Sequence, residues 1–131
     1  MSSRAMFIFV SFSGFLLVIL SAFKEHVFVK SLNLTDMSYL HTGIEYQAYH
    51  TLAIIGIGST ILKQTNMWFY WSGAVMIFGI ILFSGSIYGL VLLHLNFFSF
   101  ITPIGGVFLL ISWSLMLIGS FYINKREKYI F

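Results

Sequence analysis

The chain has no cysteine and very few charged residues. The absence of cysteine excludes disulfide bonds, thiolate catalysis and cysteine-ligated metals, and it gives no information about the redox compartment. Only 8% of the 131 residues are charged and 59% are hydrophobic, whereas about a quarter of the residues of a soluble domain are charged. A soluble core of this size could not bury so many apolar side chains. Composition therefore excludes a soluble domain and indicates an integral membrane protein.

The formal net charge of +3 comes mainly from a short basic segment that contains Lys125, Arg126 and Lys128. Such a segment is typical of a surface that faces anionic lipid headgroups. The sequence has no basic patch of the kind that binds nucleic acid. The expected partner is therefore the lipid bilayer, and no nucleic-acid partner is expected.

Four apolar segments are each long enough to cross about 30 Å of hydrocarbon as a helix that rises about 1.5 Å per residue. They are residues 5–23, 44–62, 67–93 and 103–123. The first segment is too long for the apolar core of a signal peptide, so we expect a retained helix. We predict a single all-α membrane domain over residues 1–131, built as an antiparallel bundle of four transmembrane helices with an outer loop at 24–43.

Positive charges near the helix ends predict the orientation, because cytoplasmic loops carry an excess of lysine and arginine. Two of them, Lys24 and Lys30, lie on the side of the 24–43 loop. The other five lie on the opposite side and are Arg4, Lys63, Lys125, Arg126 and Lys128. This asymmetry predicts that both termini are cytoplasmic.

Small residues recur at intervals of seven along three of the four segments. They are Gly14 and Ser21 in the first, Ser72, Gly79 and Ser86 in the third, and Gly105, Ser112 and Gly119 in the fourth. Helices in lipid associate through close backbone contact, so such tracks predict tight crossings between antiparallel neighbours. Further glycines expected at helix contacts are Gly85, Gly89 and Gly106.

The second helix is predicted to begin outside the membrane, where Thr35 and Asp36 supply an N-cap and a first-turn acid. One of its faces carries polar and small residues, at positions 41, 45, 49, 52, 56 and 59. Because lipid-facing positions are expected to be apolar, this face is predicted to point into the bundle. His41 lies one turn before Glu45 and is predicted to pair with it. His50 lies about 140° from Glu45 and needs a different partner.

Polar side chains are predicted to gather in the half of the bundle near the 24–43 loop. Hydroxyls of the third helix can satisfy polar groups of the second, and Thr102 is predicted to cap the fourth helix ahead of Pro103. The candidate cluster consists of His26, His41, Glu45, Gln47, Tyr49, His50, Ser84, Ser86, Tyr88 and Thr102. A fourth histidine, His94, falls in the same half.

Three stretches, TGIEYQAYHTLAI, FSGSIYGL and ITPIGGVFLLISW, resemble segments of the YgdD-like family of small bacterial inner-membrane proteins, a family of unknown function. The resemblance implies four membrane spans and an inner-membrane location, and it implies no activity. In that family the first helix usually ends in a motif like GAFGAH. Here it ends in SAFKEH, so that Lys24 and Glu25 replace small residues while His26 is kept.

The sequence leaves three functions open for this polar cluster. The first is a hydrogen-bonded network that fixes helix register in a structural or accessory protein. The second is proton- or cation-coupled transport by an oligomer, in which Glu45 or His50 titrates. The third is a metal or haem site built from the histidines.

Catalysis is not expected, because the sequence has neither a nucleophile–base spacing nor a glycine-rich phosphate loop. No cofactor is expected either. A second copy of the chain and a different membrane protein are both open as partners.

Overall fold

The computed structural model describes residues 1–123, and every regular element in that range is helical. The four α-helices are α1 (Ser3–His26), α2 (Leu34–Lys63), α3 (Met67–Leu92) and α4 (Ile101–Phe121). Short 3₁₀ turns lie in two connections, at Phe28–Lys30 and at Asn96–Phe100. The predicted all-α class is confirmed. The predicted basic segment with Lys125, Arg126 and Lys128 lies outside the described residues.

Two helix starts differ from the prediction. The α2 helix is capped by Asn33, whose side chain accepts a hydrogen bond from the Asp36 amide at 2.8 Å, and not by Thr35. The α4 helix continues directly from a 3₁₀ turn, so Thr102 already lies inside it and is not its cap. Its Oγ1 donates instead to the Phe98 carbonyl, one turn earlier. The predicted loop at 24–43 shortens to residues 27–33, because α1 and α2 both extend beyond their apolar segments.

The helices pack mainly against their neighbours in sequence, α1 on α2, α2 on α3 and α3 on α4. One end of the bundle, here called the loop end, holds the connections 27–33 and 93–100. The other end, here called the turn end, holds the short turn at 64–66. One core cluster centres on Ile54, Ile57 and Met76, and a second, nearer the loop end, centres on Leu40 and Val91.

Three of the four helices are long and apolar enough to cross a membrane by length and composition, namely α1, α3 and α4. The α2 helix is the longest, with 30 residues, but its polar side chains lower its apolar character. A span by α2 therefore stays a prediction.

The interface between α3 and α4 is built on small residues. Ser72 and Ser112 face each other, and each hydroxyl donates to the other residue's carbonyl, at 2.9 and 2.8 Å. A Cβ built on Gly79 would lie 2.7 Å from the Leu109 side chain, and one built on Gly105 would meet the α3 backbone at Phe83. Two more glycines pack against aromatic rings, Gly119 against Trp68 and Phe69 and Gly89 against Phe98.

Four of the predicted packing residues do not make close helix contacts. A Cβ built on Gly14 or Gly85 would have no neighbour within 4 Å, and Ser21 is exposed. Gly106 meets only the Phe83 ring, at 3.7 Å. The physical reason on α1 is register, because the buried small residue is Ser13 and its neighbour Gly14 is turned by about 100°.

Candidate functional site

A buried polar network joins the first three helices. The Gln47 amide of α2 donates to the Ser13 hydroxyl at 3.0 Å and to the Ser13 carbonyl at 3.2 Å. The Ser13 hydroxyl also bonds Thr51 at 2.7 Å, and the Tyr88 hydroxyl of α3 donates to Gln47 Oε1 at 2.6 Å. Both ends of the glutamine amide are thus used, as burial in a low-dielectric interior requires.

Ser84 lies on α3 one turn before Tyr88 and links the same two helices. Its hydroxyl donates to the Gly43 carbonyl of α2 at 2.8 Å. This bond requires a close approach, since a Cβ at Gly43 would lie 3.0 Å from the Tyr88 ring and 3.1 Å from Ile87. Gly43 therefore allows α3 hydroxyls to reach both the backbone and the side chains of α2.

A second pair of hydroxyls joins α3 to α4 near the loop end. Ser86 and Thr102 lie 2.6 Å apart, and the Ser86 hydroxyl also contacts the Phe83 carbonyl at 2.9 Å. Ser84, Ser86 and Tyr88 therefore have three different partners, namely the Gly43 carbonyl, Thr102 and Gln47. Ser84 and Tyr88 link α3 to α2, and Ser86 links α3 to α4.

His50 is buried and makes two hydrogen bonds that define its tautomer. Its Nδ1 donates to the Tyr46 carbonyl at 2.6 Å, and its Nε2 accepts from the Trp113 indole at 3.1 Å. A carbonyl only accepts and an indole N–H only donates, so the imidazole is neutral with its proton on Nδ1. The predicted separation of His50 from Glu45 is confirmed, and the bond to Trp113 is a polar link between α2 and α4.

An apolar groove of about 640 Å³ lies over this histidine, between α2 and α4. Among the residues that line it are Tyr46, His50, Phe83, Pro103, Gly106 and Trp113. The Tyr46 ring stacks on Phe83 with centroids 4.6 Å apart. Because both imidazole nitrogens are already bonded, the groove offers apolar and aromatic surface and no free histidine nitrogen.

The predicted inward face of α2 points outward, which corrects the prediction for Glu45 and Tyr49. The buried side of α2 carries Gln47, Thr51 and several isoleucines. This side is buried because its polar groups find partners on the neighbouring helices and because it carries more apolar side-chain volume than the face with Glu45. On the exposed side, Lys24 Nζ lies 3.2 Å from His41 Nδ1. His41 Nε2 in turn lies 3.3 Å from Glu45 Oε1, so the predicted pair is confirmed.

The four histidines do not converge. His26 ends α1 and is exposed, and His94 follows α3 with a positive φ of 53°. His41 and His50 lie on different faces of α2. Among residues 1–123, no three histidine, aspartate or glutamate side chains are grouped so that they could hold a metal ion.

Sequence reasoning missed Ser13, Thr51 and Trp113. Ser13 is a single hydroxyl inside an apolar run, and nothing local distinguishes it from Ser11 on the exposed side of the same helix. Thr51 lies one turn after Gln47, and that spacing was the available signal for a shared polar face. Trp113 is 63 residues from His50, so only the tertiary structure pairs them.

Comparison with known proteins places these features in a family. A family model described as "Protein of unknown function (DUF423)" matches residues 20–106. The chain is 45% identical over 126 residues to the UPF0382 inner membrane protein YgdD of Escherichia coli K12, covering 96% of each chain.

More distant relatives come from other bacteria. A UPF0382 membrane protein of Haemophilus influenzae is 39% identical over 112 residues, which are 86% of this chain and 90% of the relative. One of Staphylococcus saprophyticus is 37% identical over 102 residues, which are 78% and 84% of the two chains. No solved structure matches.

Proposed function

Because this chain belongs to the DUF423 family of proteins of unknown function, we propose that it is a non-enzymatic structural or accessory protein of the bacterial inner membrane. In this proposal all four helices span the bilayer and both termini are cytoplasmic. The polar cluster holds the helices in register, and the protein acts through its contacts with lipid and with other protein chains.

One observation carries the structural role. Every buried side-chain nitrogen or oxygen among residues 1–123 has a hydrogen-bond partner. A carrier or a catalyst needs polar groups that are free to bind its substrate, whereas here Gln47, His50 and Tyr88 use their polar atoms within the bundle. Such satisfied networks specify one arrangement of packed helices.

The proposed topology rests on length and on charge. At about 1.5 Å per residue, α2 is about 45 Å long, which exceeds the roughly 30 Å of hydrocarbon that it would cross. Arg4 and Lys63 lie at the turn end, and α4 also ends there because Asn66 donates to the Gly119 carbonyl at 3.0 Å. Lys125, Arg126 and Lys128 follow α4 in the sequence, whereas Lys24 and Lys30 belong to the loop end. An excess of cations at the turn end favours a cytoplasmic location for it.

The absence of native cysteine allows a direct test of this topology. Single-cysteine variants Ser31→Cys and Asn96→Cys at the loop end, and Thr65→Cys in the short turn, are treated in intact cells with a membrane-impermeant maleimide. We expect labelling of the first two only. Labelling of Thr65→Cys alone would refute the proposed orientation. Labelling of both Ser31→Cys and Thr65→Cys, or equal labelling of all three, would contradict a span by α2 and so the four-span arrangement.

The structural role is tested by comparing Gln47→Leu with Glu45→Gln on the same helix. Gln47→Leu removes the acceptor of the Tyr88 hydroxyl and one of the two side-chain partners of the Ser13 hydroxyl, so the folded fraction in detergent is expected to fall. The partly exposed Glu45 is expected to tolerate its change. The same preparations are assayed for bound metal and for proton flux in liposomes. Stoichiometric metal, or flux that Glu45→Gln abolishes in a folded protein, would favour the metal or transport alternatives and refute a purely structural role.

A further inference from the structure

The outer face of α2 differs from the exposed faces of the other helices. It carries the six residues here called the α2 stripe: His41, Glu45, Tyr49, Leu52, Gly56 and Ser59. At 100° per residue, the centre of this stripe lies about 165° from the centre of the buried face of α2. The exposed faces of α1 and α4 present Phe12, Phe15, Leu110 and Leu117 instead. Those faces are mostly apolar and carry single serines such as Ser11 and Ser114, so the α2 stripe is the more polar surface.

The polar end of the stripe is only partly satisfied within one chain. Tyr49 donates to Glu45 Oε1 at 3.4 Å, and His41 contacts the same oxygen. Within residues 1–123, Glu45 Oε2 makes no hydrogen bond, and the Glu45 and His41 side chains are 42% and 54% exposed. A carboxylate at the edge of the hydrocarbon is costly unless it gains further partners.

The middle of the stripe provides space for another helix. A Cβ built on Gly56 would meet no atom within 4 Å. On the same face, Leu52 lies one turn and Tyr49 two turns before it, and they are 66% and 57% exposed. Helices in lipid associate where a small residue between larger ones lets two backbones approach. Gly56 thus has the surroundings of a contact residue, but no helix within residues 1–123 covers it.

We propose that the α2 stripe is the interface with a second copy of this chain, in a parallel dimer that pairs α2 with α2. Two copies inserted in the same direction are related by a two-fold axis along the membrane normal. Such an interface is isologous, so the surface must be complementary to itself. Lys24, which contacts His41 on one side of Glu45, meets this condition, because the rotation brings the ammonium of each copy towards the carboxylate of the other.

The extent of the stripe matches this arrangement. From His41 to Ser59 it runs about 27 Å along the helix, close to the hydrocarbon thickness. The dimer rests on the proposed four-span arrangement, because α2 must lie in the bilayer. The two proposals fail separately, since maleimide labelling reports topology and the experiments below report association.

The first experiment uses disulfide formation between copies in native membranes. Gly56→Cys and Ser59→Cys lie on the stripe, and the exposed positions Phe15→Cys and Leu110→Cys serve as controls. A disulfide requires Cα atoms within about 7 Å, so mild oxidation is expected to give about tenfold more dimer at the stripe than at the controls. Equal yields at all positions, or a cross-link from the stripe only to a protein of a different mass, would overturn the proposal.

The second experiment compares two exposed glycines. Gly56→Leu places a wedge on the stripe, and Gly85→Leu places the same side chain on α3, where a Cβ also has no neighbour within 4 Å. Neither change disturbs the fold of one chain, so both variants are expected to purify. Mass measurement in detergent is expected to show that Gly56→Leu raises the dissociation constant roughly tenfold or more. A dimer unaffected by Gly56→Leu, or weakened equally by Gly85→Leu, would refute the α2 interface.

Discussion

Replacing Gly105 by alanine tests how α3 and α4 come together. The added Cβ would lie against the backbone nitrogen of Phe83. It would be 2.7 Å from the Cα of Phe83 and 2.8 Å from the carbonyl carbon of Leu82. These are backbone atoms, so no change of rotamer can relieve the contact. Gly106 is the matched control, because a Cβ there would meet only the Phe83 ring, at 3.7 Å.

The expected magnitude follows from these distances. An ordinary carbon–carbon contact is about 3.5 Å, so the 2.7 Å contact at Gly105 requires α3 and α4 to separate locally by about 0.8 Å. Overpacking of this kind costs about 1–3 kcal/mol. Both alanine variants gain the same helix propensity, about 1 kcal/mol. The difference between them is therefore the overpacking cost alone, and Gly105→Ala is expected to be about 1–3 kcal/mol less stable than Gly106→Ala.

The measurement is the free energy of unfolding in mixed micelles, obtained from a titration with sodium dodecyl sulfate and followed by circular dichroism. Purified Gly105→Ala and Gly106→Ala are compared with the unmodified protein under the same conditions. If Gly105→Ala proved as stable as Gly106→Ala, the close backbone contact between α3 and α4 would be absent, and the small-residue packing of these helices would be wrong.

Three further predictions concern single contacts. Asn66→Ala removes both the α3 cap and the bond to the Gly119 carbonyl, so the unfolding free energy is expected to fall by about 1–2 kcal/mol; an unchanged value would exclude a role for this residue at the turn end. A double-mutant cycle of Ser72→Ala and Ser112→Ala should give a coupling of about 0.6–1.7 kcal/mol, and additive effects would contradict the reciprocal bonds. His50→Phe removes the acceptor of the α4 indole, so one indole N–H resonance is expected to move upfield in the NMR spectrum; three unmoved resonances would disprove that bond.

Much of the fold could be predicted because it depends on local properties of the chain. Apolar length located the helices, and the seven-residue spacing of Ser72, Gly79 and Ser86 marked the side of α3 that meets α4. The pairing of His41 with Glu45 follows from helical geometry alone. Residues whose partners are distant in sequence, such as Ser13 and Trp113, carry no local signal that identifies those partners.

The α2 helix shows most clearly where prediction from sequence stopped. Its sequence offers two polar faces, one centred on Gln47 and the other containing Glu45. The rule that polar groups avoid lipid favours the interior for both. Only one can point inward, and the choice depends on which face fits Ser13 of α1 and Tyr88 of α3.

The amino-acid sequence by itself determined a helical membrane protein and the spacing of small residues that lets α3 approach α4, because length, composition and period are properties of each segment alone. The tertiary structure decided which face of α2 is buried, the partners of His50, and the exposure of Glu45 and Gly56. These depend on how the surfaces of separate helices fit together, since a polar face is stable inside only where another helix supplies its hydrogen bonds.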